Sequence, residues 1–146
     1  MQTTWVIAAD SSRARIFEVL GKERRLREVA DLLNPDGRSS ERELKSDAEG
    51  RYYGHGDRSR AHSAGEASAV DHATEIFSRE LGRYLEKART DRQFERLYVM
   101  APPRFLGLLR RNLSNEVQKS IADEIGKDLS WLDAREIDRH IRRGKA

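Results

Sequence analysis

The chain has 146 residues, the size of one domain, and no cysteine, which excludes disulfide scaffolds, thiolate zinc sites, iron–sulfur clusters and cysteine nucleophiles. Hydrophobic residues make up 37% and charged residues 36%, with a mean hydropathy of −0.82, so an ordinary core beside one exposed polar segment is expected. Twenty-eight Lys and Arg against 25 Asp and Glu give a net charge of +3, a mixed surface that permits an anionic partner without requiring one.

Trp5-Val6-Ile7-Ala8-Ala9 is a nearly continuous apolar run, the pattern of a strand buried on both faces. Asp10-Ser11-Ser12-Arg13 is turn chemistry, because such short side chains bond nearby backbone. Ala14, Ile16 and Leu20 then fall on one face, with Arg15 and Val19 on the other. This predicts a second strand with one face tolerant of polar groups. Gly21-Lys22-Glu23-Arg24 is the next turn. Leu26, Val29, Ala30 and Leu33 follow the i, i+3, i+4, i+7 spacing of a helix, so periodicity favours helix over a third antiparallel strand. Asn34-Pro35-Asp36-Gly37 ends that element.

Residues 35–66 form a long polar excursion with little to bury beyond Leu44, Tyr52 and Tyr53; such loops in compact domains are functional or disordered. Ser63 to Glu66 fits a capping box, followed by an apolar stripe of Val70, Ala73, Phe77, Leu81, Tyr84, Leu85 and Ala88, the surest helix of the chain. Phe94 to Ala101 reads as a buried strand closed by Pro102-Pro103, and proline suits the first turn of a helix over Arg104 to Asn112. Ser114 is placed to cap a further helix with Val117, Ile121 and Ile125 inward and Gly126 at its end. Leu129 to Leu132 is a candidate edge strand. Asp133 to Glu136 is a capping box, with Leu132 and Ile137 as its staple, and starts a last helix that Gly144 ends. The short apolar run before Asp10 lacks a basic flank and is no signal peptide, and no run approaches membrane-spanning length. The cytoplasm is therefore the expected compartment, with no membrane partner.

Four stretches taken together carry a resemblance: Trp5 to Phe17, Phe77-Ser78-Arg79-Glu80-Leu81, Leu97 to Gly107, and Lys127-Asp128-Leu129. They resemble the bacterial host attachment protein family, also described as proteins required for attachment to host cells. Ala101-Pro102-Pro103-Arg104-Phe105-Leu106-Gly107 is the most specific part, and the likeness covers essentially the whole chain. That family is similar in fold to the middle domain of archaeal and eukaryotic class-1 peptide release factors and of Pelota. The resemblance therefore implies an α/β fold, a three-layer α/β/α sandwich with a mixed five-stranded sheet and ribonuclease-H-like topology. It also implies that Leu26 to Leu33 is a strand, against the periodicity. It brings no catalytic residues and no cofactor. The release factors' hydrolytic tip is a Gly-Gly-Gln loop between the third strand and the long helix. Residues 34–67 here contain no glutamine, and the nearest pattern is Gly50-Arg51-Tyr52-Tyr53-Gly54-His55-Gly56-Asp57, which speaks against peptide release by that route.

Asp10 ends the first strand, where ribonuclease-H-like nucleases place an acid that helps hold two metal ions. The fourth strand ends in Ala101-Pro102-Pro103 without an acid, and only Asp71 or Glu75 of the long helix is at hand, so a turn cap paired with Arg13 or Arg15 is the favoured role. His55, His62, His72 and His140 show no zinc spacing, and no P-loop or nucleophile elbow is present. Arg51, Tyr52, Tyr53, His55, Arg58 and Arg60 interleave cations with rings, a mixture suited to RNA. Seven acids against six Lys or Arg in 35–66 suit a plain solvated loop somewhat better. Arg104 and Arg111 on the helix after Pro103 are further contact candidates. The expectation, as the resemblance implies, is a non-catalytic binding domain near the translation machinery, with the ribosome or structured RNA as partner, the 35–66 loop as contact element, and no metal or small-molecule cofactor. The alternatives are a metal-dependent nuclease or hydrolase with Asp10 in its site, and an interaction protein acting in attachment, with a homo-oligomer open to it through Tyr52 and Tyr53.

Overall fold

A computed structural model describes residues 2–21, 25–36 and 56–144, with side chains described outside 56–68 and 142–144. Along the chain run β1 (Thr4–Ala9), β2 (Arg13–Leu20), β3 (Arg25–Leu33), α1 (Gly56–Thr90), β4 (Arg96–Met100), α2 (Pro103–Asn112), α3 (Asn115–Ser120), β5 (Ile121–Ile125) and α4 (Ala134–Gly144). The strands form one mixed, open sheet in the order β3-β2-β1-β4-β5. β1, β2 and β3 are an antiparallel meander, while β4 lies parallel to β1 and β5 parallel to β4.

β1 is the central strand because its apolar run feeds two cores at once. Trp5, Ile7 and Ala9 face one side, where Phe77, Leu81 and Leu85 of α1 and Phe105 and Leu109 of α2 close over them. Val6 and Ala8 face the other side, with Phe17 and Met100, under Ile137 and Ile141 of α4. Each fully buried Ile, Leu or Phe contributes about 2 kcal/mol, so these two cores hold the helices on both faces of the sheet. Among the described residues no helix is long and apolar enough to cross a membrane.

Two elements differ from their periodicity, for the same reason. Leu26–Leu33 is not a helix but lies within β3, as the family resemblance implied. Its pairing with β2 steps from Ile16↔Ala30 to Phe17↔Glu28, so Val29 is an inserted bulge residue. The extra residue shifts the apolar positions off period two and imitates a helical stripe. Ile121–Ile125, read from sequence as the end of a helix, is β5. Its ladder steps from Leu97↔Ile121 to Tyr98↔Asp123, so Ile121 packs on the first core and Ile125 on the second. The fifth strand is therefore this one. Leu129 to Leu132 is instead a tight turn, closed by Leu132 N–H donating to the Leu129 carbonyl at 3.2 Å.

The long polar excursion is shorter than expected. α1 already begins at Gly56, upstream of the supposed capping box at Ser63 to Glu66. Ala61, Ala64, Ala67 and Ala69 favour helix without marking an apolar face, so periodicity passes over this stretch. The other two caps form as expected. Ser114 Oγ accepts from Val117 N–H at 3.1 Å, and Asp133 Oδ1 accepts from Glu136 N–H at 2.8 Å, with Leu132 and Ile137 buried together.

These caps carry a pH dependence. The Glu136 backbone N–H holds the Asp133 carboxyl below the usual carboxylate range. The Arg89 guanidinium and the Ser114 hydroxyl do the same for Glu86. A carboxyl whose folded pKa is depressed stabilises the fold above its unfolded value, about 4, and that contribution is lost as pH falls through the folded value. Tm is therefore expected to hold its contribution from these groups at neutral pH and to lose it in the acid range below about pH 4. The double variant Glu86→Gln, Asp133→Asn should show a shallower acid decline in a Tm-against-pH series; an unchanged profile would remove these two carboxylates from the account.

Candidate functional site

β1 and β4 lie side by side and parallel, yet the chain leaves their carboxyl ends in opposite directions. From β1 it turns to β2; from β4 it passes through α2 and α3 to β5 on the other side. In open α/β sheets such a switch point leaves a crevice where ligands bind. Three segments meet at this edge: the turn 10–12, Pro102-Pro103, and the segment 126–133.

The turn is held by Asp10, a carboxylate 8% exposed. Its Oδ1 accepts from Ser12 N–H at 2.8 Å, Ser12 Oγ–H at 2.7 Å and Arg13 N–H at 2.9 Å. Ser130 Oγ lies 3.0 Å from its Oδ2, tying the turn to the segment before α4. Asp10 is a turn cap, as expected, but its expected ion pair is not formed. Arg13 pairs with Asp31 instead. Arg15 pairs with Glu28 at 2.7 Å and donates to the carbonyls of Ser130 and Leu132. Asp10 Oδ1 is thus occupied by the protein's own groups, while Oδ2 shares the single Ser130 hydroxyl proton with Asp128 Oδ1, which lies 2.8 Å from that Oγ. Among the described residues no three His, Asp or Glu side chains stand together as metal ligands.

On the other side of the edge, α1 and α2 pack against each other. They touch where Gly82 of α1 meets the last residue of α2: a Cβ on Gly82 would stand 2.4 Å from the Asn112 carbonyl oxygen. Asn112 Nδ2 donates to Ser78 Oγ at 2.8 Å and to the Leu108 carbonyl at 3.0 Å, locking the contact. Beside this contact, toward the start of α2, lies a cleft of about 490 Å³. One wall carries Val70, Asp71, Thr74 and Glu75 of α1, the other Arg104, Leu108 and Arg111 of α2, with Ser11 and Pro102 at the sheet edge.

Helix stability does not account for Arg104. It stands in the first turn of α2, where a cation opposes the helix dipole, and no acid accompanies it there. Its side chain is 89% exposed and reaches Asp71 across the cleft at 3.3 Å. Such an exposed pair contributes little to stability. Glu75 is matched by Arg79 on its own helix at 2.8 Å. Arg111 has no carboxylate partner among the described residues. The cleft lining therefore holds two guanidiniums and two carboxylates, with Arg111 the guanidinium that no described carboxylate meets.

Of the sequence candidates, Arg104 and Arg111 come together on one wall of this cleft. Arg58 and Arg60 lie on α1, upstream of the residues that form the facing wall. Arg51, Tyr52, Tyr53 and His55 lie outside the described residues. Sequence reasoning passed over Thr74 and Ser11, and weighed Asp71 and Glu75 only as metal ligands. The Pro102-Pro103 step after a buried strand was the available signal that a crevice opens there. Trp131 was also passed over. It is 70% exposed, on a turn whose neighbouring carbonyls are gripped by Arg15.

A family model described as protein required for attachment to host cells matches residues 5–141. The chain belongs to this family. The match runs from Trp5 in β1 to Ile141 in α4, so the Asp10 turn and the cleft both fall within the residues matched to the host attachment family. No curated protein sequence matches this family member.

Proposed function

We propose that this host attachment protein is a binding module that works beside the translation machinery in the cytoplasm, with the ribosome or structured RNA as its partner. One observation carries the reading. α1 starts early enough to bring Arg58 and Arg60 onto the helix that forms one wall of the cleft, while Arg104 and Arg111 stand on the facing wall. Four of the cationic candidates thus belong to two neighbouring helices, and the exposed guanidiniums of Arg104 and Arg111 suit phosphates. Arg51, Tyr52, Tyr53 and His55 directly precede α1 in the sequence. The strand order, with a three-stranded meander and two strands parallel to β1, supports a ribonuclease-H-like topology and a kinship with the release-factor middle domain.

A pull-down from bacterial lysate, with and without ribonuclease, tests the reading. Capture of ribosomal RNA that ribonuclease abolishes is expected. Capture of one protein, indifferent to ribonuclease, would replace it with a second reading, a protein-interaction role in attachment. The exposed Trp131 favours that alternative, since a large ring on an anchored turn is the kind of group that anchors interfaces.

A further inference from the structure

We propose that the cleft between α1 and α2 is a binding site for a nucleoside monophosphate. The inference rests on the preceding reading only in taking the cleft as the contact surface. Its volume of about 490 Å³ falls within the range that encloses small ligands, and it opens at the switch point of the sheet. Three kinds of group line it, and each matches a part of that ligand.

The anion grip is Arg104 and Arg111. They are seven residues apart on α2, two helical turns, and so project from the same face about 10 Å apart along the axis. Arg111 is the cleft's unmatched cation, and Arg104 is held only by the exposed Asp71. A phosphate gives either one a charged, two-pronged acceptor. The opposite wall supplies acceptors. Asp71 and Glu75 are one turn apart on α1, and Thr74 lies between them. Carboxylates in this position suit the hydroxyls of a ribose, which a bare anion lacks. The apolar part is formed by Val70, Pro102 and Leu108, a surface against which a base can lie. Inorganic phosphate would use only the first of these groups and adenosine only the other two.

Isothermal titration calorimetry at low salt with adenosine 5′-monophosphate, adenosine and inorganic phosphate tests this. The monophosphate is expected to bind at least about tenfold more tightly than either fragment, and Arg111→Ala to weaken it about tenfold, the effect of removing one charge-assisted hydrogen bond. Arg104→Ala should weaken it comparably. Both side chains lie on the surface, and circular dichroism checks that each variant is folded. No heat from the monophosphate at millimolar concentration overturns the proposal, as does binding unchanged in both variants or matched by phosphate alone. The two readings fail separately. Ribosome association without monophosphate binding overturns this site and leaves the RNA reading, whereas monophosphate binding without ribosome association upholds the site and removes that reading.

Discussion

Replacing Asp10 with alanine is expected to lower stability by about 3 kcal/mol, a fall in Tm of about 10 °C. The carboxylate is almost fully enclosed and is satisfied from four directions: two backbone N–H groups and the Ser12 and Ser130 hydroxyls. Removing it leaves the part-buried Ser12 and Arg13 donors without this acceptor, and it unties the β1–β2 turn from the segment leading into α4, where Ser130 keeps only Asp128. Asp10→Asn keeps one carbonyl oxygen and is expected to cost about half as much. Ser130→Ala, which removes one strut, should cost about 1 kcal/mol. A carboxylate kept for chemistry behaves in the opposite sense, because its removal commonly relieves strain and raises stability. Urea unfolding of the three variants decides between these: a gain in stability on Asp10→Ala would make Asp10 a catalytic candidate again.

Gly82→Val is expected to be as damaging, at about 4 kcal/mol. The limiting contact is backbone: the added Cβ would lie 2.4 Å from the Asn112 carbonyl oxygen and 3.2 Å from its carbon. No rotamer change relieves such a clash, so α2 has to move away from α1, and overpacking of a tight core commonly costs about 1–3 kcal/mol or more. The branched side chain adds a further cost in a helix. Gly82→Ala recovers about 1 kcal/mol of helix propensity and should cost about 2 kcal/mol net. The movement would also break the Asn112–Ser78 bond and reshape the neighbouring cleft. Thermal unfolding of both variants checks the order; a stabilised Gly82→Ala would show that the helices are not in contact there.

Much of the fold was legible because local signals and tertiary demands agree. β1 and β4 announce themselves as apolar runs, the second half of α1 as a stripe, and the Ser114 and Asp133 caps as short motifs. β3 and β5 were obscured by bulges that move apolar residues out of phase, so that a strand carries a helix's spacing. The first turns of α1 were obscured because polar, alanine-rich helix has no apolar face to detect. The cleft was not legible at all. It depends on where α1 crosses α2, which a single glycine decides by permitting the close approach, and nothing in the spacing of Asp71, Arg104 and Arg111 states that they meet. Arg104 and Arg111 could be named from sequence as exposed cations, but not as one wall of a shared site.

The salt dependence of ribosome association tests most directly the claim that this cleft is where the protein meets its partner. Co-sedimentation is measured across a salt series for the parent chain and for the Arg104→Glu, Arg111→Glu double variant. The parent is expected to sediment with ribosomes at low salt and to be released as salt rises, and the variant to bind more weakly with a log–log slope smaller by about 2, one unit for each phosphate no longer neutralised. Absence of sedimentation at low salt, or identical curves for the two proteins, would contradict the claim.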